Sequence, residues 1–197
     1  MPEIPLDPEI VAEARLVSDA LGGSQPAFEQ IVRRYQRPVI SLIVRMTGDH
    51  AQAEDLAQET FVKAFRHLKS FDPARRLSSW LFRIAHNTTL DALRKLKPEV
   101  LELDGLRDGD PHRDPAAPAA PDPLEQAALG EALNRALLSL RPSYRAAIAL
   151  RYDQQLPFDE IGQILGVPEV TARTFVHRAR KELAGSLAAL GWGRCDD

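Results

Sequence analysis

One cysteine, Cys195, is the whole thiol content of this 197-residue chain. A lone sulfur excludes an intrachain disulfide and a cysteine-built metal cage. The five histidines, His50, His67, His86, His112 and His177, are scattered rather than paired at ligand spacing, so each is expected at the surface or its boundary. No stretch approaches the roughly 20 apolar residues of a membrane span, and no basic segment followed by an apolar run opens the chain. The expectation is a cytoplasmic protein. Sustained apolar alternation of strand type is missing as well, and the long segments follow helical spacing instead. The fold class expected is therefore all-α. No nucleophile-base pair, phosphate-cradling glycine loop or metal-ligand cluster stands out, which argues against an enzyme and calls for no metal or other cofactor.

What is present divides the chain in two. With 44% hydrophobic residues it can bury one or two small cores. The net charge of -3 conceals an uneven distribution. From Lys63 to Lys97, nine basic residues face only Asp72 and Asp91, giving +7 in 35 residues and a candidate nucleic-acid surface. Residues 98–123 carry two arginines against seven acids and gather six prolines, so they read as a linker. This places helical domains at 1–97 and 124–197.

In the second domain, Phe158 to Lys181 reads as two short helices broken at Gly166, a helix-turn-helix pattern. Pro157 suits the first helical position, and Gly166 can take the left-handed conformation that ends the first helix. The second helix restarts near Pro168, with Ala172, Val176, Ala179 and Leu183 recurring as one buried stripe. Its outward face is Arg173, Thr174, His177, Arg178 and Lys181, side chains that reach base edges and phosphates in a major groove. A solvated face on an ordinary helix pair is the plainer alternative.

In the first domain, residues 50–68 form an amphipathic helix with Ala53, Ala57, Thr60, Phe61, Ala64 and Leu68 on one face. Phe65 sits at its edge. Asp55, Gln58, Glu59, Val62 and Arg66 lie opposite, and an apolar Val62 among polar neighbours suggests either a docking surface or a merely solvated acidic face. The next helix, Ser79 to Leu96, is expected to bury Leu81, Ala85, Thr88, Ala92 and Leu96, and to expose Arg83, Asn87, Leu90 and Arg94 in one row. Between these helices runs a basic loop from Ser70 to Ser79, followed by Trp80. Aromatic, basic and amide groups together suit single-stranded DNA, although for Trp80 taken alone a place in the core is the better fit.

Three stretches then carry a resemblance: Ala53-Glu-Asp-Leu-Ala-Gln-Glu-Thr-Phe-Val-Lys-Ala-Phe65, Ser79-Trp-Leu-Phe-Arg-Ile-Ala-His-Asn87 and Val170-Thr-Ala-Arg-Thr-Phe-Val-His-Arg-Ala-Arg-Lys181. In order and spacing they resemble the signature segments of extracytoplasmic-function (ECF) sigma factors, over roughly residues 15–97 and 124–188. The resemblance implies a two-domain factor that binds core RNA polymerase, directs it to promoter DNA and helps melt it, with an anti-sigma factor as a further partner. It carries Asp55, Gln58, Glu59 and Val62 over as core-polymerase contacts. Minus-ten recognition and melting fall to Phe71, Arg75, Arg76, Ser79, Trp80, Arg83, Asn87 and Arg94, with Asn87 holding a flipped base. Minus-thirty-five reading falls to Thr171, Arg173, Thr174, Phe175, His177, Arg178 and Lys181, and the acidic linker is implied to thread toward the RNA exit path.

Some positions depart from the family pattern. Phe175 stands where a basic residue is usual, which suggests apolar contact with a thymine methyl. Ala172 replaces the usual valine, Leu77 replaces a common loop phenylalanine, and the basic run after the second helix is reduced to Arg94, Lys95 and Lys97. A helix-turn-helix repressor is the alternative class. It explains the C-terminal domain but neither the acidic helix nor the aromatic-basic loop.

Overall fold

The structure is a computed structural model, and it describes residues 8–96 and 123–192. Among these residues every regular element is helical, so the all-α expectation holds. Eight α-helices follow one another: α1 (Pro8–Leu21), α2 (Gln25–Thr47), α3 (His50–His67), α4 (Leu77–Leu96), α5 (Pro123–Ser139), α6 (Pro142–Ile148), α7 (Phe158–Leu165) and α8 (Glu169–Leu187). The expected linker at 98–123 lies outside the described residues, apart from Pro123, which begins α5. His112 and Cys195 also fall outside them.

The helix ends follow local chemistry. Ser24 caps α2 by accepting the Ala27 N–H, and Asp49 caps α3 by accepting the Gln52 N–H at 3.1 Å. Gly48 closes α2 at φ 77°, a left-handed conformation that costs glycine little. The N-terminus of α4 is capped from outside its own segment. The Glu13 carboxylate of α1, only 4% exposed, accepts the Leu77 N–H at 2.8 Å and the Tyr35 hydroxyl, with Arg34 at 3.8 Å.

The stripe expected on α3 is buried, with Leu56 added to it, and Thr60 satisfies its hydroxyl on the Leu56 carbonyl at 2.7 Å. Helix α4 differs from expectation in its start and in its buried face. The helix begins at Leu77, two residues earlier than expected, and Leu77 is fully buried rather than part of the loop. Leu96 is 64% exposed because it ends the helix beyond its neighbours' reach, whereas Leu90 turns inward and packs on the core instead of joining the exposed row. His86, expected at the surface, is buried on the same side as Ala85 and Thr89.

In the helix-turn-helix, Gly166 ends α7 at φ 71° and its N–H bonds the Gly162 carbonyl. Pro157 stands just outside α7 in an extended conformation, one position earlier than expected. Gly162 is where α7 meets the start of α8, since a Cβ there would lie 2.7 Å from the Val167 carbonyl oxygen. The α8 stripe of Ala172, Val176, Ala179 and Leu183 is buried as expected.

The two halves also pack on one another. One apolar core joins Leu42, Ile43, Leu77, Leu81 and Phe82 of the first half to Leu150, Ile161, Ile164 and Ala172 of the second. Helix α4 lies against α7, and α2 lies against α5 and α6. Arg45 of α2 reinforces the junction through Asp153 at 3.0 Å and Asn134 at 3.4 Å. A smaller cluster of Leu137, Leu140, Tyr144 and Leu183 completes the second half. Within α6, Arg145 is buried, and desolvation pushes its guanidinium pKa down from the ordinary value.

Candidate nucleic-acid interface

The loop after α3 is shaped by Asp72, whose side chain accepts the Ala74 N–H at 3.0 Å and whose carbonyl accepts from Arg75. This turn leaves Arg75 and Arg76 exposed beside α4. Arg83 and Asn87 project from α4 toward the same space, one turn apart. Together with Ser79, Trp80 and Phe71 they line a cleft of about 740 Å³. The sequence had grouped these seven residues, and the fold brings them together.

One member, Phe71, plays a part different from that expected. Phe71 is buried, and its ring meets Trp80 edge-on with centroids 5.6 Å apart, so it supports Trp80 instead of offering a stacking face. Trp80 is half-buried, part core and part cleft wall. Arg94 lies about two turns beyond Asn87, outside the cleft lining, and pairs with Asp91 at 3.2 Å. The far wall was missed by the sequence reading: Glu160 and Gln163 of α7 reach the cleft from the second half of the chain. No local signal marks them, because only the packing of α7 on α4 puts them there.

The second surface is the outer side of α8. Arg173 and Lys181 are exposed, while Thr171, Thr174, His177 and Arg178 are half-buried. Arg173 is held by Glu169 at 2.8 Å and lies 4.5 Å above the Phe158 ring. Thr174 bonds the Val170 carbonyl at 2.9 Å. Phe175 corrects the thymine-methyl expectation, since its ring packs against Tyr144 at 5.4 Å and joins the smaller core. The exposed apolar residue on this helix is Val170, at 74%. It faces outward from the first turn.

The third surface is α3. Asp55, Gln58 and Glu59 are exposed, with Glu59 paired to Lys63 at 2.8 Å. Val62 at 49% and Phe65 at 57% extend this row, and Phe65 meets Phe28 of α2 edge-on at 4.9 Å. Among the described residues no cluster of three potential metal ligands occurs, and no helix is long and apolar enough to cross a membrane.

A helix-turn-helix attached to a helical block with a basic, aromatic cleft fits a DNA-binding class of protein, and comparisons with known proteins make the class specific. Residues 31–99 match the family model of Sigma-70 region 2, and residues 130–183 match that of Sigma-70, region 4. The chain is 38% identical to the ECF RNA polymerase sigma factor SigW of Bacillus subtilis (strain 168), spanning 85% of this chain and 92% of that one. It is 33% identical to the ECF RNA polymerase sigma-E factor of Salmonella typhimurium (strain LT2), across 92% of this chain and 97% of that one. The fold resembles the sigma factor RpoE of Bartonella quintana, solved with the anti-sigma factor NepR, at a TM-score of 0.61 and 27% identity over 82% of this chain and 96% of that one. It also resembles CnrH, solved with the cytosolic domain of CnrY, at 0.64 and 26% identity over 90% and 98%. The chain belongs to the ECF sigma factors. As such it binds core RNA polymerase, directs it to specific promoters and helps melt DNA to start transcription.

Proposed function

We propose that this sigma factor divides its work among three surfaces. The acidic row of α3, Asp55, Gln58 and Glu59 with Val62, docks on a basic surface of core polymerase. The cleft between the loop and α4 receives the unpaired minus-ten strand, with Arg75, Arg76 and Arg83 neutralising phosphates, Trp80 offering ring surface and Asn87 pairing with an extruded base. The outer side of α8, through Arg173, Arg178 and Lys181 with Thr171, Thr174 and His177, reads the minus-thirty-five duplex. The observation that carries this reading is the convergence of three arginines, a tryptophan and an outward asparagine on one cleft. The solved complex of RpoE with the anti-sigma factor NepR supports an anti-sigma partner for this chain too, and a cytoplasmic site of action fits polymerase binding.

The docking assignment is the most direct to test. Asp55 and Glu59 lie four residues apart on an exposed face, outside the buried stripe. Reversing both to lysine places like charges against a basic partner while adding little strain to the fold. Gel filtration with core polymerase should show association lost, promoter-specific transcripts should vanish, and circular dichroism should match the wild type. Normal assembly and initiation by the double variant would remove the docking role from α3.

A further inference from the structure

The wall of the minus-ten cleft that comes from α7 is acidic, and this is the wrong sign for a nucleic-acid site. Glu160 accepts a hydrogen bond from the Ser79 hydroxyl at 2.6 Å and stands 3.8 Å from the Arg76 guanidinium. Beside it, Gln163 accepts from Arg75 at 3.1 Å. Thus the three loop and α4 groups placed to hold DNA phosphates and sugar are engaged by two side chains of one helical turn. A carboxylate on a guanidinium and a hydroxyl offers the same acceptor chemistry as a backbone phosphate.

We infer that Glu160, with Gln163, is an intramolecular competitor for the minus-ten strand. The inference rests on the cleft being the single-strand site. The shared apolar core around Ile161 and Ile164 holds α7 in register with α4, so the competitor acts at high effective concentration. A strand entering the cleft must displace Glu160 from Ser79 and Arg76. Its apparent affinity is lowered by the fraction of molecules in which α7 is seated. Binding of any partner that separates α7 from α4 then raises the affinity of the cleft without touching it.

The plain alternative is that Glu160 stabilises α7 as a first-turn acid on the helix dipole. Asp159 shares that turn and is exposed, so it serves as the control. The probe is a fluorescein-labelled single-stranded oligodeoxynucleotide of random sequence, titrated by anisotropy with the full chain at low salt. Glu160→Ala should bind about tenfold more tightly than wild type, Gln163→Ala should shift the same way by less, and Asp159→Asn should leave binding unchanged. Arg83→Ala, which removes a guanidinium lining the same cleft, should weaken binding in either background. Unchanged affinity in Glu160→Ala alongside a weakened Arg83→Ala would overturn the competition and leave the cleft assignment standing. Affinity unaffected by Arg83→Ala in both backgrounds would overturn the cleft assignment and the competition with it. Equal gains from Glu160→Ala and Asp159→Asn would reduce the effect to general acidity.

Discussion

The cleft on α4 and the outer side of α8 are built in opposite ways. Side chains on α8 are braced by near neighbours: Arg173 by Glu169 four residues earlier and by the Phe158 ring of the adjoining α7, and Thr174 by the carbonyl of its own preceding turn. The cleft is braced from afar, with Glu13 capping α4 from 64 residues away and Glu160 reaching Ser79 across 81. A helix offered to a duplex groove needs only its own turn and the helix before it to fix its side chains. A site for an unpaired strand is concave, so its walls must come from separate segments whose packing sets its width.

The sharpest way to break this contrast is to damage what the two regions share. Ile161 is fully buried in the core common to both halves. Ile161→Ala should cost about 2–5 kcal/mol of stability through lost transfer energy and an unfilled cavity. Urea unfolding in a Trp192→Phe background, followed by circular dichroism and by Trp80 fluorescence, should show one transition, shifted for both probes. Two separated transitions, with the Trp80 signal unmoved, would mean that the halves fold independently.

Separate damage to each surface should follow, with smaller effects. Arg173→Ala removes an exposed guanidinium from α8 and should cost about 1–3 kcal/mol in binding of a minus-thirty-five duplex. Single-strand binding by the cleft should stay the same. Equal losses on both probes, measured at one fixed salt concentration, would erase the distinction between the surfaces. The smallest effect is expected from Asn87→Ala, which removes a base-pairing amide worth about 1 kcal/mol. Holoenzyme carrying it should bind the closed duplex normally yet expose fewer permanganate-reactive thymines. Wild-type reactivity would take Asn87 out of the melting step.

How much of this was readable beforehand follows the same division. The buried stripes of α3 and α8 and the left-handed Gly166 rest on spacing and on one residue's conformational freedom, so they were legible. The grouping of Arg75, Arg76, Arg83 and Asn87 was also legible, since they belong to one loop and one helix face. Residues whose neighbours come from elsewhere were misread. Leu77 and Phe71 looked like loop residues until Glu13 and Trp80 were seen to draw them inward. Phe175 lies on a helix flank that α6 covers through Tyr144, and no periodicity within α8 reports that cover. The acidic wall of the cleft depends wholly on how α7 seats against α4.

The Glu13 cap also bears on the order in which the protein is made. As the chain leaves the ribosome, α1 emerges first, yet its carboxylate finds the Leu77 amide only after another 64 residues have been added. Until then the leading end of α4 lacks this cap. The region 2 match at residues 31–99 contains every signature residue of the cleft but not Glu13. A fragment trimmed to those bounds would keep the recognisable motif and lose the carboxylate that caps α4.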